Sequence, residues 1–189
     1  MRVLIVSDSF SLDTTCTWDE VLDANHVEAV ISCGDLARGY FAVPASRGIP
    51  IYGVYGNHCA PGYLDTIDGA YNLHGGHITV LPNGMTCVGI EGCVRYKDEP
   101  DVLYTQDEYA QILSRYPTTG VDVVVTHCPP RGINDHTDHA HIGINALGPY
   151  LNATRPRHLL HGHTYPTKPI TQVGQTRITY TYGHQLLDL

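Results

Sequence analysis

The sequence predicts an α/β fold, a two-sheet αβ sandwich of mixed β-sheets flanked by helices. Three observations carry that expectation. Short continuous runs of β-branched and other apolar residues recur along the chain, as strands buried on both faces require. Stretches with apolar residues at helical spacing lie between several of them. Five of the runs also end abruptly in a polar residue able to bind a metal.

Taken in order, residues 3–6 run into Ser7-Asp8, and residues 17–25 place Trp18, Val21 and Leu22 on one helical face. Residues 29–31 run through Ser32-Cys33 into Gly34-Asp35, and residues 51–55 run into Gly56-Asn57-His58. Residues 77–81 and 85–90 form a hairpin around Pro82-Asn83-Gly84, because Asn-Gly suits a tight turn. A helix over 105–116 has Thr105 as N-cap, Glu108 completing a capping box, and Tyr109, Ile112, Leu113 and Tyr116 at helical spacing. Residues 121–125 end in Thr126-His127, a third helix covers 142–151, and residues 158–160 run into His161-Gly162-His163. The tail, 172–181, turns at Gly174 as another hairpin.

A chain of 189 residues is expected to form one domain over residues 1–189. With 42% apolar residues it can bury a full core. Eleven Lys and Arg against nineteen Asp and Glu give a net charge of −8, which argues against an extended nucleic-acid surface. The four apolar residues after Met1-Arg2 are too few for a signal-peptide core, and no run approaches a membrane span. The expected location is cytoplasmic, with no membrane partner, and Cys16, Cys33, Cys59, Cys87, Cys93 and Cys128 are expected as free thiols. The anomaly is histidine: seven of the twelve fall between His127 and His163.

Ligands of open α/β sheets bind at the carboxyl ends of strands. Five such ends deliver Asp8, Asp35, Asn57, His127 and His163, each directly after Gly, Ser or Thr. One strand-end Asp is more often a turn residue; five metal-capable residues in five strand ends are a site. Carboxylate, amide oxygen and imidazole without thiolate suit Mn²⁺, Fe or Zn²⁺.

In their order, Asp8, Gly34-Asp35, Gly56-Asn57-His58, Thr126-His127 and Gly162-His163 resemble the calcineurin-like metallophosphoesterase superfamily. The resemblance implies that superfamily's two-sheet sandwich and two metal positions. One would use Asp35, Asn57, His127 and His163. The other would use Asp8, the shared Asp35, and two histidines that are here Phe10 and Tyr165. Phenylalanine cannot ligate, and Tyr165 could do so only as phenolate. The family's acid after the GNH motif is Cys59 here. One or two divalent ions per chain are implied, Mn²⁺ favoured over Fe or Zn²⁺.

Resemblance and site chemistry together point to hydrolysis of a phosphate ester by metal-activated water, with His58 protonating the leaving oxygen. A weakened second position favours a small phosphodiester or nucleotide substrate over a monoester, a strained 2′,3′-cyclic nucleotide above all. The second reading is a metal-poor scaffold that keeps the fold for protein binding. Arg38 is either a phosphate clamp or a solvated loop residue. His141, in the loop 135–141, either edges the substrate pocket or is exposed; the spacing of that loop does not fit the HxHxDH pattern of zinc β-lactamase-like hydrolases. His161 reads as a core or ligand-supporting histidine, and His26, His74, His77 and His184 as surface or capping residues.

Overall fold

The computed structural model describes residues 1–9 and 17–189. Phe10 and Cys16 lie outside the described residues. In chain order the elements are β1 (Arg2–Ser7), α1 (Trp18–Ala24), β2 (Ala29–Ser32), a 3₁₀ turn (Arg38–Phe41) leading into α2 (Ala42–Ser46), β3 (Ile51–Gly53) and β4 (Ala70–Asn72). There follow β5 (Thr79–Val80), β6 (Thr86–Ile90), β7 (Cys93–Val94), β8 (Leu103–Tyr104), α3 (Gln106–Leu113), β9 (Val123–Thr126) and α4 (Leu147–Thr154). The last four strands are β10 (His158–His161), β11 (Ile170–Val173), β12 (Thr176–Tyr180) and β13 (Gly183–Asp188).

Two mixed sheets stack as the sequence predicts. The first has the order β13-β1-β2-β3-β4, parallel except where β13 runs antiparallel to β1. The second has the order β11-β12-β10-β9-β6-β5, with a parallel centre and an antiparallel hairpin at each edge. Alternation along the strands divides the core into layers. Val3, Ile5 and Ile31 face Val123, Val125 and Leu160 between the sheets. Leu4, Val6 and Val30 face outward onto Val21 and Leu22 of α1, together with Phe41. On the far side, Val88, Val124 and Leu159 pack under Tyr109 and Leu113 of α3 and Leu147 and Leu151 of α4. Strands covered on both faces need continuous apolar runs, and that is why those runs stand out in the sequence.

Helices α1 and α3 both start with complete capping boxes, Thr17 with Glu20 and Thr105 with Glu108. The third helix is shorter than its sequence pattern. It begins at Leu147, not Ile142, because the Ile144 amide donates to the Pro129 carbonyl at 2.9 Å and Pro130 bridges Ile144 as a parallel strand pair would. Cys33, Cys59, Cys87, Cys93 and Cys128 are buried free thiols. His74 departs from the surface role expected of it. It is half-buried, with Nδ1 3.3 Å from the Tyr116 hydroxyl and Nε2 3.7 Å from Glu91. Among the described residues no helix is long and apolar enough to cross a membrane.

Candidate metal centre

The carboxyl ends of β1, β2, β9 and β10, with the loop after β3, converge on one edge of the sandwich. Cross-ties hold them there: the Asp8 amide donates to the Gly34 carbonyl at 3.1 Å and the Gly162 amide to the His127 carbonyl at 3.0 Å. The His163 amide donates to Asp8 Oδ2 at 3.0 Å, which joins an end from one sheet to an end from the other. Two glycines permit this closeness. A Cβ on Gly56 would lie 2.1 Å from Asp35 Oδ1, and one on Gly162 2.0 Å from Ser7 Oγ and 2.3 Å from Asp8 Oδ2. Asp8, Asp35 and His163 themselves adopt left-handed backbone conformations, with φ of 54°, 53° and 68°. Strained residues of this kind collect at functional sites, where surrounding contacts over-determine them.

Ligand atoms of Asp8, Asp35 and His127 lie within 4.8 Å of one another. His127 Nδ1 donates to the Cys33 carbonyl at 2.8 Å, and Nε2 faces Asn57 Oδ1 at 2.9 Å and Asp35 Oδ2 at 3.4 Å. The His163 ring stands 4.9 Å from that of His127, outside the mutual trio but adjoining it. Its Nε2 is spent on the Ala140 carbonyl at 2.8 Å, so Nδ1 is the atom left for a ligand. Ser7 Oγ donates to Asp8 Oδ2 at 2.5 Å. These second contacts orient the donors as metal ligands are usually oriented, through the atom that does not bind.

The electrostatics bind the set together. Burial alone would lower the His127 pKa, but the charges of Asp35 and then Asp8 outweigh it and raise the imidazole to about 9. Burial likewise pushes Asp35 upward; the charge and hydrogen bond of His127 and the His58 amide overcome it and hold the carboxyl at about 2. His163 is driven the other way, to about 3, by burial and then by the charge of His127. One buried histidine therefore balances the carboxylates while its neighbour stays neutral. The donors are carboxylate, amide and imidazole in one place, with one nitrogen of each imidazole committed elsewhere. They fit a divalent cation, with Asp8, Asp35 and His127 as the mutual cluster and Asn57 and His163 adjoining it.

Asp8 and Asp35 line a cleft of about 750 Å³ together with Arg38, Asn57, His58, His141, His163 and Tyr165, and His127 lies fully buried behind them. His58 is exposed there, and its backbone amide donates to Asp35 Oδ1 at 2.8 Å. Arg38 lines the cleft, but its Nε is occupied by Thr66 Oγ1 at 2.9 Å. His141 reaches the cleft, 5.2 Å from the His163 ring, and Asp138 holds its Nδ1 at 2.8 Å. Tyr165 stands at the rim with burial and then the Asp8 charge pushing its phenol up, away from phenolate. His161 lies outside the cleft; it is fully buried on Asn134 and the Gly162 carbonyl. Cys59 is buried, its thiol accepting from the Gly56 amide, so it shapes the turn before His58. Sequence reasoning missed Tyr96 and Tyr182, which also line the cleft; Tyr96 hydroxyl meets Asn57 Nδ2 at 3.5 Å. No motif surrounds either residue.

No protein of curated function matches the chain in sequence. Among solved structures, one crystal structure superposes with a TM-score of 0.68 at 14% identity, covering 99% of this chain and 94% of that one. The protein TT1561 of Thermus thermophilus superposes with a TM-score of 0.64 at 13% identity, covering 96% and 88%. At such identities the likeness establishes the fold. The sequence profile described as calcineurin-like phosphoesterase matches residues 1–166, far more than half of the chain. Its reach takes in every strand end that meets at the cleft, from Asp8 to His163, and on that match the chain belongs to the calcineurin-like phosphoesterases, metal-dependent hydrolases of phosphoric esters.

Proposed function

We propose that this chain hydrolyses phosphodiesters, with strained cyclic diesters such as 2′,3′-cyclic nucleotides the preferred class and Mn²⁺ the preferred ion. The observation that carries the reading is an asymmetry of donors. By the family's pattern, Asp35, Asn57, His127 and His163 would make one full set, whereas the neighbouring position would have Asp8, the shared Asp35 and, where the family has a histidine, Tyr165, which is exposed at the rim. A monoester dianion has more charge to neutralise than a diester monoanion. The arginine lining the cleft, Arg38, is tied by its Nε and Nη2 to the Thr66 hydroxyl and carbonyl, which directs those donors away from a phosphate.

A divalent ion bound here would supply Lewis acidity, activating water and offsetting phosphoryl charge. The chain does the rest. Asp35 braces the turn that carries His58 through the 2.8 Å bond to its amide, which keeps the imidazole beside the cleft. From there His58 is placed to give a proton to the leaving oxygen, a contribution of roughly 10²–10⁴-fold when well aligned. Cys33 and Ala140 hold the His127 and His163 imidazoles through their carbonyls, fixing which nitrogen of each is left for the donor set. Ring-opening of a cyclic diester releases strain, so less stabilisation is asked of the site.

The test compares Mn²⁺-dependent turnover of bis-p-nitrophenyl phosphate, p-nitrophenyl phosphate and 2′,3′-cyclic AMP, with metal content measured alongside. Diesters faster than the monoester, and metal and activity lost together in Asn57→Ala or His127→Ala, are expected. Faster monoester turnover overturns the diester reading. Absence of bound metal at every pH above about 6.5, the unshifted histidine value, favours a scaffold for protein binding.

A further inference from the structure

Two exposed tyrosines stand side by side at the mouth of the cleft. Tyr165 is 62% exposed and Tyr182 59%, and both line the cavity that contains Asp8, Asp35 and His163. Their ring centroids are 5.7 Å apart, with the planes tilted by 53°. Tyr165 is also braced by His141 at 6.5 Å and Tyr180 at 6.4 Å. Most other tyrosines of the chain are buried in the core, among them Tyr52, Tyr55, Tyr109, Tyr116 and Tyr150. The third exposed one, Tyr71, lies flat against Tyr52 at an interplanar angle of 13° on the edge strand β4. Tyr165 and Tyr182 leave their surfaces open toward a binding cavity instead, and exposed aromatic surface at a cavity is a mark of ligand contact.

The geometry limits how a ligand can use them. A flat ring inserted between two others needs about 3.5 Å of clearance on each side, or about 7 Å in all. A separation of 5.7 Å excludes that, and the tilt makes an open corner in place of a slot. A planar ring can lie over one tyrosine while its edge meets the other, and both arrangements are favourable for aromatic pairs. The cleft, at about 750 Å³, has room for a phosphate at the donor set and a base at its mouth.

We propose that Tyr182 and Tyr165 form an aromatic corner that stacks the base of a nucleotide diester. The proposal rests on the diesterase reading above and adds to it the part of the substrate that is recognised. Stacking uses the π-face that every base possesses, so the corner confers preference for nucleotides over small aliphatic diesters with little choice among bases. Tyr182, being far from the donor set in the chain and held by one described ring partner, is the residue on which to test it.

The experiment measures binding of adenosine 3′-monophosphate and of inorganic phosphate to the full chain supplied with Mn²⁺, by titration calorimetry, in the wild type, Tyr182→Ala and Tyr182→Phe. Tyr182→Ala is expected to weaken adenosine 3′-monophosphate by roughly 5- to 150-fold, the range of one base–aromatic stack, and to leave phosphate within about twofold. Tyr182→Phe keeps the ring and should bind like the wild type. The KM for 2′,3′-cyclic AMP should rise in Tyr182→Ala while that for ethylene phosphate, which has no base, should not. No nucleotide binding by the wild type, an unchanged affinity in Tyr182→Ala, or an equal loss for phosphate overturns the corner. Ring-dependent nucleotide binding without hydrolysis of either diester leaves the corner standing and removes the diesterase reading.

Discussion

The Nδ1–H of His127 donates to the carbonyl of Cys33 across 2.8 Å, from the end of a strand in one sheet to the end of a strand in the other. That bond settles which nitrogen of the ring is left to face Asn57 and Asp35. It also places a buried imidazole where Asp35 and Asp8 can keep it protonated, against the burial that would strip its proton.

From this follows a pH dependence whose sign changes with metal. A histidine raised from 6.5 to about 9 contributes stability that is complete below pH 6.5 and lost as pH rises through 9. Below 6.5 the opposite holds for His163 and His161, which burial keeps neutral to about 3 and about 4; each costs stability as the pH falls. EDTA-treated protein should therefore melt highest near pH 6.5 and at lower temperature toward pH 9. With saturating Mn²⁺ the alkaline slope should flatten or reverse, because a ligating imidazole must shed its proton and metal binding tightens as pH rises. Thermal melts at pH 6, 7, 8 and 9, with and without chelator, measure both slopes. Parallel slopes would remove His127 from the ligand set.

The glycines before the strand-end residues offer a second test. Gly162→Ala would put a methyl group 2.0 Å from Ser7 Oγ, and Gly56→Ala would put one 2.1 Å from Asp35 Oδ1. Gly162 meets the end of a strand in the opposite sheet and Gly56 the end of the neighbouring strand in its own, so neither can yield without spreading the site. Each substitution should cost about 1–3 kcal/mol in urea unfolding, as overpacked sites do, and lower the affinity for Mn²⁺. Gly148→Ala, in α4 with nothing within 4 Å, should instead stabilise by about 0.5–1 kcal/mol. A neutral Gly162→Ala would show that the strand ends are less tightly joined than their hydrogen bonds indicate.

The parts of the fold that are legible in the sequence are those decided locally. Val3 to Val6 and Val123 to Val125 are apolar on both faces because each strand is covered twice, and Thr105 with Glu108 announces a helix start by its own hydrogen bonds. The ligand-bearing ends are legible because Gly56 and Gly162 leave a mark in sequence where backbones approach. What escapes depends on distant partners. Ile144 belongs to no helix because Pro129 claims its amide, and β13 is a strand because β1 has an open edge. Tyr182 reaches the cleft from the crossing between β12 of one sheet and β13 of the other, and His74 is drawn inward by Glu91 and Tyr116. No local pattern carries any of these.

Thr105 tests the local half of that argument. Its hydroxyl accepts from the Glu108 amide at 3.2 Å, and Glu108 in turn accepts from the Thr105 amide at 2.7 Å. Thr105→Ala should cost about 1 kcal/mol and Thr105→Ser close to nothing, both read from urea unfolding. Helix α3 carries Tyr109 and Leu113 onto the outer face of the second sheet, so the loss should appear as global destabilisation. Turnover under folding conditions should not change, since α3 supplies no side chain to the cleft.

His58 can be assigned by the substrate it is asked to cleave. Its side chain lies on the cleft, outside the set of donors, and its amide rests on Asp35 Oδ1. A general acid matters most when the departing oxygen is a poor leaving group. His58→Ala should slow 2′,3′-cyclic AMP hydrolysis by roughly 10²–10⁴-fold, and bis-p-nitrophenyl phosphate, whose leaving group departs readily as an anion, far less. Bound metal should be unchanged, because the amide that braces Asp35 belongs to the backbone and survives the substitution. Equal slowing of both substrates with metal retained would argue against proton transfer and for substrate positioning. Loss of metal in His58→Ala would instead mean that the imidazole itself supports the donors, and the acid role would pass to another group on the cleft.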